Sequence, residues 1–489
     1  MATENDVIYS NIEQVLPAFE GAGYTYRESM RGLFDGSADS LAARELRFLQ
    51  NRSAHICRNN GYGKTALNKW VTNANHIKTI WKNKDGSLHK VMQAYWDEFT
   101  SNPSFDGYGD YRVFQGVSNS SIFLSGNSYI RKLIVREGNR NTVPLKLQLI
   151  PSALHDVLYT GTASSDTTKN IQYGMTFVNS VPTEYHFVKD PLKLKPYEPS
   201  VGHITIPASE LVHTFIRNEP AQWLGVPLLA PVILSLYALD DLKVSTINKQ
   251  LAAQSIAVII EQTANALNML PVGAHTLENK ADYVNDGKTK TVFKNNPKES
   301  QTLYLNKGES AKMFQGTDIG NNFNSLVESE LRKIAATLDL AYHELTGDAG
   351  ALNYSSLQGI MVQQRNRLEY LHNFLFIPLR EAPIAAAFKE LAVVYNSKCS
   401  SAMPYFQLPR WRGTDDLKDA QADLLEMQNG FGLLTETLAE RGLTVEQVIA
   451  DLDVRKQLEP YGIVLNSAAA NPSMNQTSNT EANSNSTGT

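Results

Sequence analysis

The spacing of hydrophobic positions changes several times along this chain, and each change marks an element. Residues 41–79 carry helical spacing, broken by turn chemistry at Asn59-Asn60-Gly61. Val91, Tyr95 and Phe99 stand four apart, which predicts one face of a helix over 87–100, ended by Asn102-Pro103. The pattern then turns to alternation. Residues 128–136 and 143–150 predict strands joined by a turn at Gly138-Asn139. Leu145, Leu147 and Leu149 alternate with Lys146 and Gln148, so one face is buried and the other wet. Residues 171–178 and 184–188 continue the β pattern, and Pro191, Pro196, Pro199 and Gly202 mark a linker.

A long helix is predicted from Pro227 towards 256, with Pro227 or Pro231 in its first turn. Short strands are predicted at 258–260, 290–294 and 301–305, and a turn at 306–309. Phe323, Val327, Leu331, Ile334 and Leu338 mark one helix; Leu357, Met361, Leu368, Leu371 and Leu375 mark a longer one. Between them, Gly347, Asp348 and Gly350 break the pattern. Pro383 opens a helix to 395. The stretch 414–465 reads as helical, with a capping box at Thr444 and Gln447. From 466 the chain is mostly Asn, Ser, Thr, Ala and Gly, too poor in apolar surface to offset ordering entropy, and is expected to be disordered. The class is α+β.

Charge narrows the function. With 45 Lys and Arg against 50 Asp and Glu, the 489 residues carry a formal charge of −5. A dedicated nucleic-acid binder usually carries a basic excess. The two cysteines, Cys57 and Cys399, make neither a disulfide framework nor a zinc site and fit a reducing compartment. The polar, acidic start shows no signal peptide, and the apolar run at 226–239, closed by Asp240 and Asp241, is too short to span a membrane.

Enzyme signatures fail on context. Gly63-Lys64-Thr65 has the ending of a phosphate-binding loop, but Arg58 stands where the first glycine belongs, and a helical pattern precedes it where a buried strand is required. The ten histidines form no H-x-x-x-H pair, and His203 and His213, flanking a β-like segment, read as surface or structural residues. Asp240-Asp241 reads as a solvated helix face, and Glu328 and Glu330 near Arg332 and Lys333 as a mixed-charge exposed face. No catalytic, cofactor or metal site is expected.

Four stretches carry a family resemblance. Residues 216–231 read I-R-N-E-P-A-Q-W-L-G-V-P-L-L-A-P. This resembles the R-x-x-Q-x-R-G-V-P-x-L-A-P stretch of lambda-family phage portal proteins at Gln222, Gly225, Val226, Pro227, Leu229, Ala230 and Pro231. Glu219 and Leu224 stand where that family often has Arg. Residues 331–356 resemble its L-R-x-I-A-A helix, L-T-G-D turn and N-Y-S-S helix start, with Ala341 where Pro is common. Residues 411–443 resemble its W-x-D-P-x-K-E-A-x-A region and E-R-G turn, with Gly413-Thr414-Asp415 replacing the usual start. Arg58 to Tyr62 resembles its R-N-N-P-Y segment.

The resemblance implies a ring, a dodecamer in the virion, with wing, stem, clip and crown regions around an axial channel. On this chain it places wing at 1–226, the first stem helix at 227–257, the clip at 258–317 and the second stem helix at 318–341. The tunnel loop falls at 342–353, the long wing helix at 354–413, the crown at 414–465 and the tail at 466–489. Implied next to DNA are Gly347, Asp348, Ala349, Gly350, Ala351, Leu352 and Asn353. Candidate stem or channel residues are Asp240, Asp241, Lys243, Lys249, Glu328, Arg332 and Lys333. The implied partners are further copies of the chain, double-stranded DNA, the terminase large subunit, the head–tail adaptor, and the major capsid protein and scaffold. Cofactors and membranes are not implied; the place is the portal vertex of the virion, after assembly in the host cytoplasm. A conduit should not grip duplex DNA, which carries a charge about every 1.7 Å, and Asp240, Asp241 and Glu261 against Lys243 and Lys249 leave 237–262 at a net −1. The alternatives are another head–tail connector component or, on the Gly-Lys-Thr triplet, a packaging ATPase.

Overall fold

The computed structural model describes residues 19, 22, 37–74, 77–135, 143–162, 170–189, 202–255, 259–262, 309–312, 321–348, 350, 354–408, 416–430, 438 and 445–458. They fall into two compact units, one within 1–75 and 94–400, the other within 76–93 and 401–489. The predicted strands at 290–294 and 301–305, the Gly138-Asn139 turn, the proline linker, Thr444 and the tail at 466–489 lie outside the described residues.

In the larger unit, α1 (Ala38–Asn59) starts on Ser37, whose hydroxyl accepts from the Ser40 N–H, and buries Ala42, Leu46, Leu49 and Ile56. The expected turn is a single residue. Asn60 is extended, and its side chain accepts from the Gly63 N–H at 2.8 Å, capping α2 (Gly61–Asn73). A Cβ on Gly63 would come within 2.5 Å of the Ile56 methyl, so this glycine serves helix–helix contact. The helical reading runs too far at 79: β1 (Lys78–Lys82) is a strand of the smaller unit.

α3 (Lys90–Ser101) follows, then α4 (Tyr111–Ser125), a helix the pattern did not predict. Asp110 caps it by accepting from the Arg112 and Val113 N–H groups, and Gly126, at φ 80°, ends it. Its buried face includes Gln115, Ser118 and Asn119, polar positions that obscure the apolar stripe.

Two antiparallel sheets follow. β2 (Asn127–Ile134) lies between β3 (Leu145–Ile150) and a later strand, with Ile130 opposite Leu149. The second sheet runs β4 (Gly161–Thr162), β5 (Asn170–Gln172), β6 (Met175–Val178), β7 (Val181–Val188) and β8 (His203–Pro207) in order. The single strand expected over 171–178 is two, because Tyr173 and Gly174 both adopt positive φ and reverse the chain. β9 (Leu211–Phe215) returns to pair with β2. Tyr129, Met175, Tyr185, Phe187, Ile206 and Leu211 from both sheets share one core with Ala42, Ala43 and Leu46 of α1.

α5 (Ile233–Ser255) is the long helix expected after Pro227, preceded by a 3₁₀ turn at Ala230–Val232. β10 (Ile259–Gln262) and β11 (Glu309–Lys312) pair antiparallel, so the expected turn at 306–309 ends one residue inside a strand. α6 (Asn321–Thr337), α7 (Tyr342–Thr346) and α8 (Tyr354–Leu371) match the helix–breaker–helix pattern. α8 runs straight into a π-helix, His372–Glu381, where the looser turn accommodates Pro378, and then into α9 (Ala382–Tyr395), which Pro383 opens as expected. The π-helix brings Arg380 and Glu381, both fully buried, against α4. The guanidinium binds Glu381 at 2.7 Å and the Asn119 side-chain oxygen at 2.6 Å. The carboxylate also accepts from the Tyr111 hydroxyl and the Gln115 amide. Those contacts explain the polar face of α4.

The smaller unit pairs β1 with β12 (Met403–Gln407), Ile80 opposite Tyr405, with the Lys82 ammonium 3.7 Å from the Tyr405 ring centroid. α10 (Asp416–Gln428) and α11 (Val445–Leu458) supply helix in the stretch where it was expected.

Candidate functional site: an elbow, a helix pair and a breaker loop

The stretch 216–232 is an elbow that aims α5. The Gln222 side-chain oxygen accepts from the Asn218 and Glu219 N–H groups at 2.8 and 3.2 Å, and its amide donates to the Leu224 carbonyl at 2.7 Å. Asp39, at the start of α1, accepts from the Trp223 and Leu224 N–H groups. Burial pushes its carboxyl up from the usual range, against the pull of those two bonds. Asn127 closes a reciprocal pair with Gly225: the backbone N–H donates to its side-chain oxygen at 2.8 Å, and its amide donates to the Gly225 carbonyl at 2.9 Å.

Two glycines meet at this elbow. A Cβ on Gly225 would lie 2.1 Å from the Gly126 carbonyl oxygen, and one on Gly126 2.5 Å from the Gly225 carbonyl carbon. The α4 C-terminus and the elbow therefore touch backbone to backbone. Leu224, fully buried, occupies the position where the family often has Arg; an unpaired guanidinium there would have no water. The Leu228 N–H then donates to the Phe123 carbonyl, and Leu229, Val232 and Ile233 are buried as the chain enters α5.

Of the stem candidates on α5, two are tied to the α1–α2 region. Asp240 accepts from the Asn60 amide at 2.7 Å, and Lys243 donates to the Tyr62 hydroxyl at 3.0 Å with its ammonium 4.4 Å from that ring centroid. These contacts attach α5 to the α1–α2 junction. Asp241 and Lys249 are exposed. α5 packs on α6, where Glu328 pairs with Arg332 at 2.6 Å and Glu330 with Lys333 at 3.6 Å, all along the helix surface.

α7 leads into the breaker loop. Glu344 accepts from Asn73 of α2 and Gln364 of α8, bracing the loop base from two sides. Gly347, at φ 76°, ends α7 with its N–H on the His343 carbonyl. The Asp348 carboxylate accepts from the Gly350 N–H at 2.9 Å, a local turn that leaves the side chain exposed. Ala349, Ala351, Leu352 and Asn353 lie outside the described residues.

A histidine–tyrosine cluster between the sheets was not legible in the sequence, because its members are scattered over 129–213. His203 and His213 lie within β8 and β9 and do not merely flank a strand. His155 donates from Nε2 to the Gly174 carbonyl at 3.2 Å, so its Nδ1 accepts from the Tyr129 hydroxyl at 2.7 Å. His213 bonds the Asn127 side-chain oxygen through Nε2 at 3.0 Å and stacks on Tyr129 at 4.4 Å between centroids. His186 lies between the hydroxyls of Thr176 and Thr205, and His203 and Arg47 both bind the buried Asp156. Burial lowers His155 to about 4 and depresses His186 and His213 as well. Burial favours the neutral form of those three rings, which bond and stack within the core. Among the described residues no three His, Cys, Asp or Glu side chains are grouped to hold a metal ion. Among the described residues, too, no helix is long and apolar enough to cross a membrane.

The family described as "Phage portal protein, lambda family" matches residues 28–372 of the chain. No curated protein matches it. Among solved structures, a chain of the "Virion of native gene transfer agent (GTA) particle" superposes with a TM-score of 0.47 at 12% identity, over 82% of this chain and 94% of that one. A chain of the "Neck of native GTA particle computed with C12 symmetry" gives 0.45 at 14%, over 80% and 93%. The crystal structure of a HK97-family phage portal protein from Corynebacterium diphtheriae gives 0.32 at 11%, over 76% and 96%.

Proposed function

Because the chain belongs to the lambda family of phage portal proteins, we propose that its copies close into a homo-oligomeric ring, a dodecamer in the virion, at one capsid vertex, around a channel for double-stranded DNA. The observation that carries this reading is the elbow at 216–232, where the family's Q-x-x-G-V-P positions are the ones that bond or touch to set the direction of α5. A subunit with two unlike lateral faces closes into a ring when the rotation per step fits. In this reading α5 and α6 are the stem, 258–317 the clip, 342–353 the tunnel loop, α8 the long wing helix, and 414–465 the crown. The terminase large subunit and the head–tail adaptor dock in turn on the ring, which sits among major capsid protein and scaffold. Its role is structural. The packaging-ATPase alternative loses its one motif, since Gly63 packs on Ile56 within a helix pair.

Asp348 is the sole formal charge among the seven residues 347–353. Repeated around a ring, its carboxylates would repel phosphates at short range and keep DNA mobile. Asp348→Lys inverts that ring. Assembly is expected to survive, because the side chain is exposed and bonds only its own turn, while packaged DNA length changes and becomes salt-sensitive. Ring formation by mass photometry and DNA length per particle are the measurements. Loss of rings with normal packaging in the surviving particles would place the loop at a subunit interface, away from DNA.

A further inference from the structure

We propose that residues 4–16 of the chain dock into an aromatic–arginine cleft beside β9 in the same subunit. The cleft has a volume of about 510 Å³ and is walled in part by Phe215, Arg217, Trp223, Arg367, Tyr370 and Phe374. Tyr370 and Phe374 stand 54% and 68% exposed, with ring centroids 5.0 Å apart. Such rings left open to water gain by being covered. The Arg217 guanidinium lies 4.8 Å from the Trp223 ring centroid and 5.7 Å from that of Phe215, and Arg367 bonds Asp339 through Nε at 3.0 Å. None of the residues walling the cleft is acidic. The cleft therefore presents the Arg217 guanidinium, a second guanidinium already paired with Asp339, and an apolar floor, and suits a segment that combines carboxylates with aliphatic side chains.

The start of the chain is such a segment. From Met1 to Tyr26 it carries Glu4, Asp6, Glu13 and Glu20 and neither Lys nor Arg; Val7, Ile8, Ile12, Val15 and Leu16 supply the aliphatic surface. It also starts from the right place. The Phe19 N–H donates to the Glu45 carboxylate at 2.9 Å, and Phe19 and Trp223 pack against the same core cluster. Glu45 lies six residues along α1 from Asp39, about 9 Å, and Asp39 holds the Trp223 N–H. Chain upstream of Phe19 thus begins near the Trp223 wall, and thirteen extended residues reach about 45 Å, more than enough to cross the cleft. The family match begins at 28, downstream of this segment.

Disulfide trapping in the full-length chain tests the proposal. Cys57 and Cys399 are buried, so an introduced pair can be read against them. Asn218→Cys in the cleft, combined in turn with Val7→Cys, Ile12→Cys or Leu16→Cys, should give an intrachain bond under mild oxidation for at least one pair. The same segment cysteines with Val394→Cys, an 81% exposed position on α9, serve as the control. Arg217→Glu should lower the trapped fraction several-fold, up to about fivefold for an exposed ion pair. Adding Asp6→Arg and Glu13→Arg should restore it. Trapping no greater than in the control overturns the proposal, as does a trapped fraction that Arg217→Glu leaves unchanged. A bond formed only between chains also overturns it, by giving the cleft to the segment of a second copy.

Discussion

Acidification should loosen the two-sheet core through His155. Its Nε2–H is committed to the Gly174 carbonyl, and its Nδ1 accepts from Tyr129. A proton on Nδ1 would set two donors against each other unless the phenol turned its hydrogen away, into a fully buried core. The groups facing this ring are the Gly174 carbonyl, Tyr129, Tyr185, Phe187, His186, His213, Arg47 and Asp156; the Gly174 carbonyl and Asp156 favour the charged form, and burial outweighs them. The folded ring titrates at about 4 against 6.5 for an ordinary histidine. The unfolded chain therefore binds more protons between those values, so stability falls as pH drops below 6.5 and the loss levels off below about 4. The full gap corresponds to about 3 kcal/mol, of which about 2 kcal/mol is expressed between pH 7 and pH 5. His372, the first residue of the π-helix, lowered to about 4 by burial, adds in the same direction, as do His186 and His213. Asp39, pushed up, acts in the opposite sense where it titrates. The assay is urea unfolding of unassembled protein at pH 7 and pH 5, for the native chain and for His155→Gln, whose amide keeps one donor and one acceptor but takes no proton. The variant should lose about 2 kcal/mol less than the native chain over this interval. Equal losses, or a His155 titration observed by NMR near 6.5, would refute the reasoning.

Gly225→Ala should cost about 3 kcal/mol or prevent folding, since its methyl would meet the Gly126 carbonyl at 2.1 Å; thermal melting of the soluble fraction measures it. Glu381→Gln should destabilise by about 3–5 kcal/mol, because it leaves Arg380 charged and fully buried without its carboxylate; denaturant titration checks it. Lys64→Ala, an exposed change in the first turn of α2, should alter stability by less than about 0.5 kcal/mol and leave assembly unchanged. A loss of ATP binding specific to that variant would contradict the helix-pair reading of 61–65.

Local periodicity by itself determined α1, α2, α6 and α8, which bury apolar residues at helical spacing such as Leu46 and Leu49, Ala66 and Trp70, Leu331 and Ile334, and Leu368 and Leu371; α5 was placed by the prolines of its first turn, and its Val244, Ile247 and Leu251 are exposed. It determined β2 and β3 by alternation, and the G-V-P and L-T-G-D stretches pointed to the family. The break at 347–350 was legible for a related reason, since two glycines between amphipathic helices interrupt them. What the pattern missed depended on partners distant in the chain. α4 hid because Gln115, Ser118 and Asn119 face a buried Arg380–Glu381 pair more than 260 residues away, so their burial is polar. β1 was absorbed into a helix because its partner is β12, and a strand has no local hydrogen bonds to announce it. The π-helix continues the spacing of α8 and differs only in its backbone turn. Asp240 read as a solvated carboxylate until the α1–α2 junction brought Asn60 within 2.7 Å. Gly225 appeared as one glycine of a motif; only the fold shows Gly126 against it, two backbones too close for any side chain.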